Sequence, residues 1–179
     1  MRVHTEGPAF QRFVGRVLGG RFVAFRSFVA YIFPPIDAPL EPMPNYQPLV
    51  RSAKAAQLNA HAPYSGFKVG AALLTTSGKV YRGCNIESSS YSLTICAERT
   101  ALFKAISEGD TEFQAIAVVS SADEMTPPCG ACRQVLWDLA GNIDVVLASS
   151  KKTRVIMLKS LLPNAFDSRM LTRSTKREK

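Results

Sequence analysis

The chain predicts an α/β fold in which a mixed sheet carries helices packed on its faces. Three observations carry that expectation. Short apolar runs of strand length alternate with stretches of helical periodicity in the order α-β-β-α-β-α-β-β. A proline-dense stretch sets this alternation apart from the N-terminal segment. With 179 residues the chain can bury one core of ordinary size without covalent staples.

Each element has its own signal. Leu49, Val50, Ala53, Ala56 and Leu58 share one face of a helix over 49–60. Pro63-Tyr64-Ser65-Gly66 is a turn, and strands follow at 67–75 and 80–86, joined by Ser77-Gly78 as a hairpin signal. Helical character returns at 96–107 and stops at Gly109. Residues 115–120 form an apolar strand, Pro127-Pro128 breaks the chain, and a helix runs from about 130 to 139. Strands at 144–148 and 154–157 come next, then a short turn at 160–162 before Pro163.

Four segments follow. Residues 1–33 are a basic, apolar extension with almost no acids. That composition reads either as a transit peptide or interfacial helix, or as a poorly ordered extension upstream of a misassigned start. Residues 34–46 are a linker, because no helix or interior strand survives that proline density. Residues 47–166 are the folded domain, and 167–179 a basic disordered tail.

Charge excludes some partners. The net charge is +8, but the extension holds five arginines against Glu6 and residues 166–179 hold five basic side chains against two acids. The domain is left close to neutral, so no basic face for nucleic acid is expected. No run of 18 apolar residues occurs, so no membrane span is expected either. The four cysteines are Cys84, Cys96, Cys129 and Cys132. The last two form C-x-x-C, too close for an ordinary structural bridge and suited to a metal or redox pair, which points to a reducing compartment.

The chemistry is concentrated in Cys96-Ala97-Glu98 and Pro128-Cys129-Gly130-Ala131-Cys132, with Cys129 thirty-one residues after Glu98. Both blocks fall at expected helix starts. The unpaired N–H groups and positive dipole end of a helix favour thiolate over thiol. Two such starts facing each other would converge Cys96, Cys129 and Cys132 on one point. Zinc takes three such ligands tetrahedrally and keeps a fourth position for water. Cys84 sits in a strand and reads as a core thiol. Glu98, two residues after a ligand, can face the open position and move a proton from water to a leaving group. A non-ligand glutamate beside a Cys₃ site with P-C-x-x-C is the arrangement of zinc deaminases.

With Pro63–Leu73, Gly83–Glu87, Cys96–Ala101, Pro128–Gln134 and Leu161–Phe166 in view, residues 47–166 resemble the small homotetrameric cytidine deaminase family nearly end to end. The resemblance implies a three-layer α/β/α sandwich with a five-stranded mixed sheet, one zinc ion per chain, and four subunits whose sites borrow residues from neighbours. It implies hydrolysis of cytidine and deoxycytidine to uridine and deoxyuridine, in pyrimidine salvage in the cytoplasm. Phe67 would pack on the pyrimidine, Asn85 and Glu87 would bind ribose hydroxyls, and Tyr91 and Phe166 would also contact substrate, Phe166 in a neighbouring site. Arg99 would hydrogen-bond the ligand thiolates, with help from Gln134. A zinc ion with three thiolates carries net −1, and a guanidinium and two helix dipoles would offset that. One departure is Ser88, where the family usually has asparagine; the shorter side chain would loosen the contact made there.

Rival readings remain. A deaminase of the nucleoside antibiotic blasticidin S would keep the zinc motif. Polynucleotide-editing deaminases typically use His as first ligand, and the near-neutral domain argues against a polyanion. A structural-zinc or redox C-x-x-C module has no need of Glu98. A membrane-surface protein would use residues 1–33, with the deaminase domain as cargo.

Overall fold

The structure, a computed structural model, describes residues 44–174. The extension at 1–33, most of the linker and the last five residues of the tail lie outside the described residues. Helix α1 spans Gln47–Gln57, β1 Val69–Thr75 and β2 Val80–Cys84. They are followed by α2 (Ala97–Ser107), β3 (Phe113–Ser120), α3 (Gly130–Ala140), β4 (Asp144–Ala148) and β5 (Thr153–Met157). Two short helices, α4 (Leu158–Leu161) and α5 (Arg169–Ser174), end the described chain.

The strands form one five-stranded sheet in the order β2-β1-β3-β4-β5. β1 pairs antiparallel with β2 and β3, β3 runs parallel to β4, and β4 is antiparallel to β5. The parallel pair follows from chemistry: β3 and β4 are joined through α3, and only a crossover lets consecutive strands run the same way. Both central strands are apolar at nearly every position, as strands covered on two faces must be. On one face Leu49, Val50 and Ala53 of α1 pack on Ala72, Ala115, Ala117 and Val146. On the other, Ala97, Ala101, Leu102 and Ala105 of α2 and Leu136 of α3 pack on Ala71, Leu73, Ile116, Val118 and Val145. The expected mixed sheet with helices on its faces is therefore what the chain forms. No helix among the described residues is long and apolar enough to cross a membrane.

Both ends of the domain differ from expectation. Tyr46, assigned to the linker, is buried with α1 in the core, and its hydroxyl donates to the Asp144 carboxylate at 2.7 Å. Pro48, one position before the helix expected from 49, lies in the first turn of α1, where its missing N–H leaves no helix bond unmade. The tail assigned as disordered contains α5, whose start is fixed by Asp167: its carboxylate accepts from the Arg169 backbone N–H at 2.8 Å and from the Arg169 guanidinium.

Tyr46 yields a stability prediction. Burial, then the bond to Asp144, pushes its phenol up from 10 to about 12. A group whose pKa rises on folding contributes its stabilisation in full below its unfolded value and loses it as pH climbs through the folded one. Tyr46→Phe is expected to lower unfolding free energy by about 1–2 kcal/mol at neutral pH. The gap to wild type should narrow between pH 10 and pH 12. Urea unfolding across that range checks it; a gap constant to pH 12 would remove the bond as its cause.

Candidate active site

Beyond β2 the chain is stitched on both sides. The His61 N–H donates to the Asn85 carbonyl and the Glu87 N–H to the His61 carbonyl, while Ile86 and Ile95 exchange both backbone bonds. Residues 85–87 thus lie between the Pro63–Gly66 turn and the entry to α2. The turn needs φ +68 at Gly66, a value that only glycine adopts readily. Glu87 holds the turn closed, accepting from the Tyr64 N–H at 2.9 Å, the Ser65 N–H at 3.2 Å and the Ser65 hydroxyl. The Ser65 hydroxyl, then the Tyr64 amide, keep this carboxyl below its usual range. Asn85 is buried; its Oδ1 accepts from the Val69 N–H and its Nδ2 donates to the Phe67 carbonyl, both at 2.8 Å. The amide therefore fixes the backbone beside Phe67.

Cys96 and Cys129 are the N-cap residues of α2 and α3, both in extended backbone conformation, and neither thiol serves as a cap. Cys132, one turn into α3, is fully buried. The three sulfur atoms lie within 4.8 Å of one another, and Cys96 Sγ is 3.9 Å from Cys129 Sγ. Ligands at about 2.3 Å on the corners of a tetrahedron are about 3.8 Å apart, a spacing the Cys96–Cys129 pair already meets, so the three thiols can hold a zinc ion. Cys84 stands apart from the cluster: its thiol donates to the Asn59 carbonyl at 3.3 Å, and burial pushes its pKa up.

The electrostatics suit a dication. Hydrogen bonding from the Cys132 thiol, aided against burial by Arg99 and Cys129, brings Cys96 down to about 5. Cys132 moves up, because Cys96 takes its proton's hydrogen bond and because it is buried. The first proton leaves the cluster easily and the second is held, since two adjacent thiolates, one half-buried and one buried, need a positive charge between them. Arg99 Nη2 supplies part of it, donating to Cys96 Sγ at 3.7 Å and to the Thr94 carbonyl at 3.2 Å. Glu98 is only 4% exposed, and burial pushes its carboxyl up to about 7. It sits among the thiols without being one of the clustered ligand atoms.

The aromatic side chains named from sequence are not packed away. Phe67, Tyr91 and Phe166 are all exposed, and Tyr91 meets Tyr64 edge-to-face with ring centroids 5.6 Å apart. Gln134 departs from its expected role. Its Nε2 donates to the Phe166 carbonyl at 2.9 Å and to Asp138 Oδ1 at 3.1 Å, not to a ligand thiolate. It holds the segment that carries Phe166. Ser88 turns its hydroxyl to the Ser90 N–H, a local bond that a serine makes for itself. Arg133 was missed by sequence reasoning. Its Nε donates to the Pro128 carbonyl at 2.7 Å and its Nη1 to the Leu161 carbonyl at 2.8 Å, bracing the loop that presents Cys129. Its place beside Cys132 was the only available signal.

A sheet flanked by helices, with three thiols and a buried carboxyl converging at two helix starts, defines a mononuclear zinc protein of the α/β class. Residues 43–149 match the family model described as the cytidine and deoxycytidylate deaminase zinc-binding region. The cytidine deaminase of Sporosarcina psychrophila is 47% identical over 126 residues, which cover 69% of this chain and 93% of that one. That of Halalkalibacterium halodurans is 51% identical over 122 residues, 67% of this chain and 92% of its own. The solved cytidine deaminase from Burkholderia pseudomallei superimposes with a TM-score of 0.66 at 50% identity, covering 69% of this chain and all of that one. This chain belongs to the cytidine and deoxycytidylate deaminase family, and its cysteine cluster fits one Zn²⁺ per chain.

Proposed function

We propose that this protein hydrolyses cytidine and deoxycytidine, replacing the ring amino group with oxygen and releasing ammonia, in cytoplasmic pyrimidine salvage and as a homotetramer. Deamination of cytidine rests on the family, and one observation carries the mechanism: a buried carboxyl two residues from a thiol ligand, with its pKa near neutrality.

Cys96, Cys129 and Cys132 would hold the zinc ion, which when bound activates water as a Lewis acid. Glu98, a buried carboxyl two residues from a ligand thiol, is placed to hold or release a proton at the reacting atoms. It takes one from the attacking water and delivers it to the departing amino nitrogen. Arg99 limits the negative charge that three thiolates would accumulate. Phe67 packs on the pyrimidine. Asn85 retains one amide hydrogen beyond its two backbone bonds, and Glu87 retains lone pairs beyond its bonds to the turn, so both can still reach sugar hydroxyls. Exposed Tyr91 also contacts substrate, and exposed Phe166 reaches into the pocket of a neighbouring subunit.

Glu87 also sets the substrate class. Its carboxylate is held ionised beside the sugar position and repels a phosphate placed there. Cytidine and deoxycytidine are expected to lose ultraviolet absorbance with purified full-length protein carrying about one zinc per chain, whereas CMP and single-stranded oligodeoxynucleotides stay unchanged. Efficient turnover of the oligonucleotide would overturn the substrate assignment. A monomer that keeps full activity on dilution, followed by sedimentation, would overturn the shared pocket.

A further inference from the structure

Gly83 lies on β2, two residues before Asn85, on the sheet face that receives α2. It pairs with Ala71, whose side chain belongs to the same buried layer as Ala97 and Ala101. Its backbone has no positive φ, so conformational freedom does not explain the glycine. Space does. A Cβ at Gly83 would stand 2.4 Å from the Ala97 carbonyl oxygen and 2.4 Å from the Ala101 N–H nitrogen. Both are backbone atoms of the first turns of α2, and no side-chain rotation can relieve the contact. Ala97 immediately follows Cys96 and precedes Glu98.

We infer that Gly83 is a positioning residue for the zinc site: the absence of its side chain lets the first turn of α2 sit against the sheet at the depth that brings Cys96 and Glu98 to Cys129 and Cys132. The inference rests on the proposed zinc-dependent reading. Cys129 and Cys132 ride on α3, whereas the three nearest atoms to a Cβ at Gly83 all belong to α2, so a lift of α2 changes the distance between the two halves of the donor set. To restore ordinary contact the turn must retreat by roughly 1 Å. That is a large fraction of a metal–sulfur bond of about 2.3 Å.

The sheet supplies a matched control. Gly70, on β1 and on the opposite face, makes the same kind of approach to α1: a Cβ there would stand 2.2 Å from the Ala53 carbonyl oxygen and 2.5 Å from the Gln57 nitrogen. Gly70→Ala therefore strains a helix that carries no ligand. Both variants are expected to lose stability. Only Gly83→Ala should lose zinc to a chelator faster than wild type, by about tenfold or more. It should also alter the thiolate-to-metal absorption of the cobalt-substituted protein, with kcat down about a hundredfold and KM little changed. Gly70→Ala should match wild type in chelator resistance, cobalt spectrum and kcat.

Zinc retention and a cobalt spectrum unchanged in folded Gly83→Ala, or lost equally in Gly70→Ala, would overturn the inference. Should Gly83→Ala give no folded protein, Ala97→Ser adds one atom to the same interface from the helix side. Faster zinc loss in that variant supports the inference and wild-type retention overturns it. A wild-type protein that binds no zinc would instead refute the underlying reading of the site.

Discussion

Glu98→Ala is expected to retain about one zinc per chain and a wild-type fold while losing about 10⁴-fold in kcat, the upper end of what one general acid–base group contributes. The loss is at that end because the same carboxyl serves twice, once when water attacks and once when ammonia departs. It corresponds to about 5.5 kcal/mol of transition-state stabilisation. Stability should not fall, because a carboxyl that is 4% exposed and pushed up to about 7 gains little from staying in the core. Glu98→Gln keeps the shape and removes the proton, and should fall as far. Steady-state kinetics with a metal count on each preparation checks both. Wild-type rates in either variant would remove Glu98 from the mechanism.

Single replacements of the four cysteines by alanine should divide three to one. Cys96→Ala, Cys129→Ala and Cys132→Ala are expected to purify with almost no zinc and no measurable turnover. Cys84→Ala should keep about one zinc per chain and most of its activity. The division follows from geometry: three sulfurs lie within 4.8 Å of one another, whereas the Cys84 thiol is committed to the Asn59 carbonyl. Metal analysis of the four proteins decides it. Complete zinc loss in Cys84→Ala would mean four protein ligands, and the open position needed for hydrolysis would be gone.

The parts of this site legible in the sequence are those fixed locally. Cys96 and Cys129 could be placed at helix starts because a helix start has its own chain chemistry, and C-x-x-C puts Cys132 one turn further on. The five strands were readable because apolar runs of strand length alternate with helical periods. What could not be read depends on partners distant in the chain. Tyr46 looks like linker among prolines and is core only because Asp144 lies 98 positions away in the sequence. Gln134 looks like a neighbour of the ligands, but its partner is the Phe166 carbonyl, which reaches it only once the C-terminal segment has folded back. Asn85 looks like a polar strand end available to a sugar, and the structure shows most of its amide engaged in holding β1. Gly70 and Gly83 are visible as glycines in strands, but helix backbone packed against them is a property of the assembled layers. Helix α5 is too short and too basic for its periodicity to emerge.

The two N-cap cysteines have a consequence for the folding chain as well. Cys96 and Cys129 are 33 positions apart and bracket α2 and β3, so an ion held between them closes a loop around one helix and the central strand. A covalent cross-link over that span would remove about 4 kcal/mol of conformational freedom from the unfolded ensemble. Metal loss therefore loosens more than a catalytic centre: it reopens a 33-residue loop around the central strand, and the zinc-free protein is expected to be cut by proteases more readily as well as being inactive.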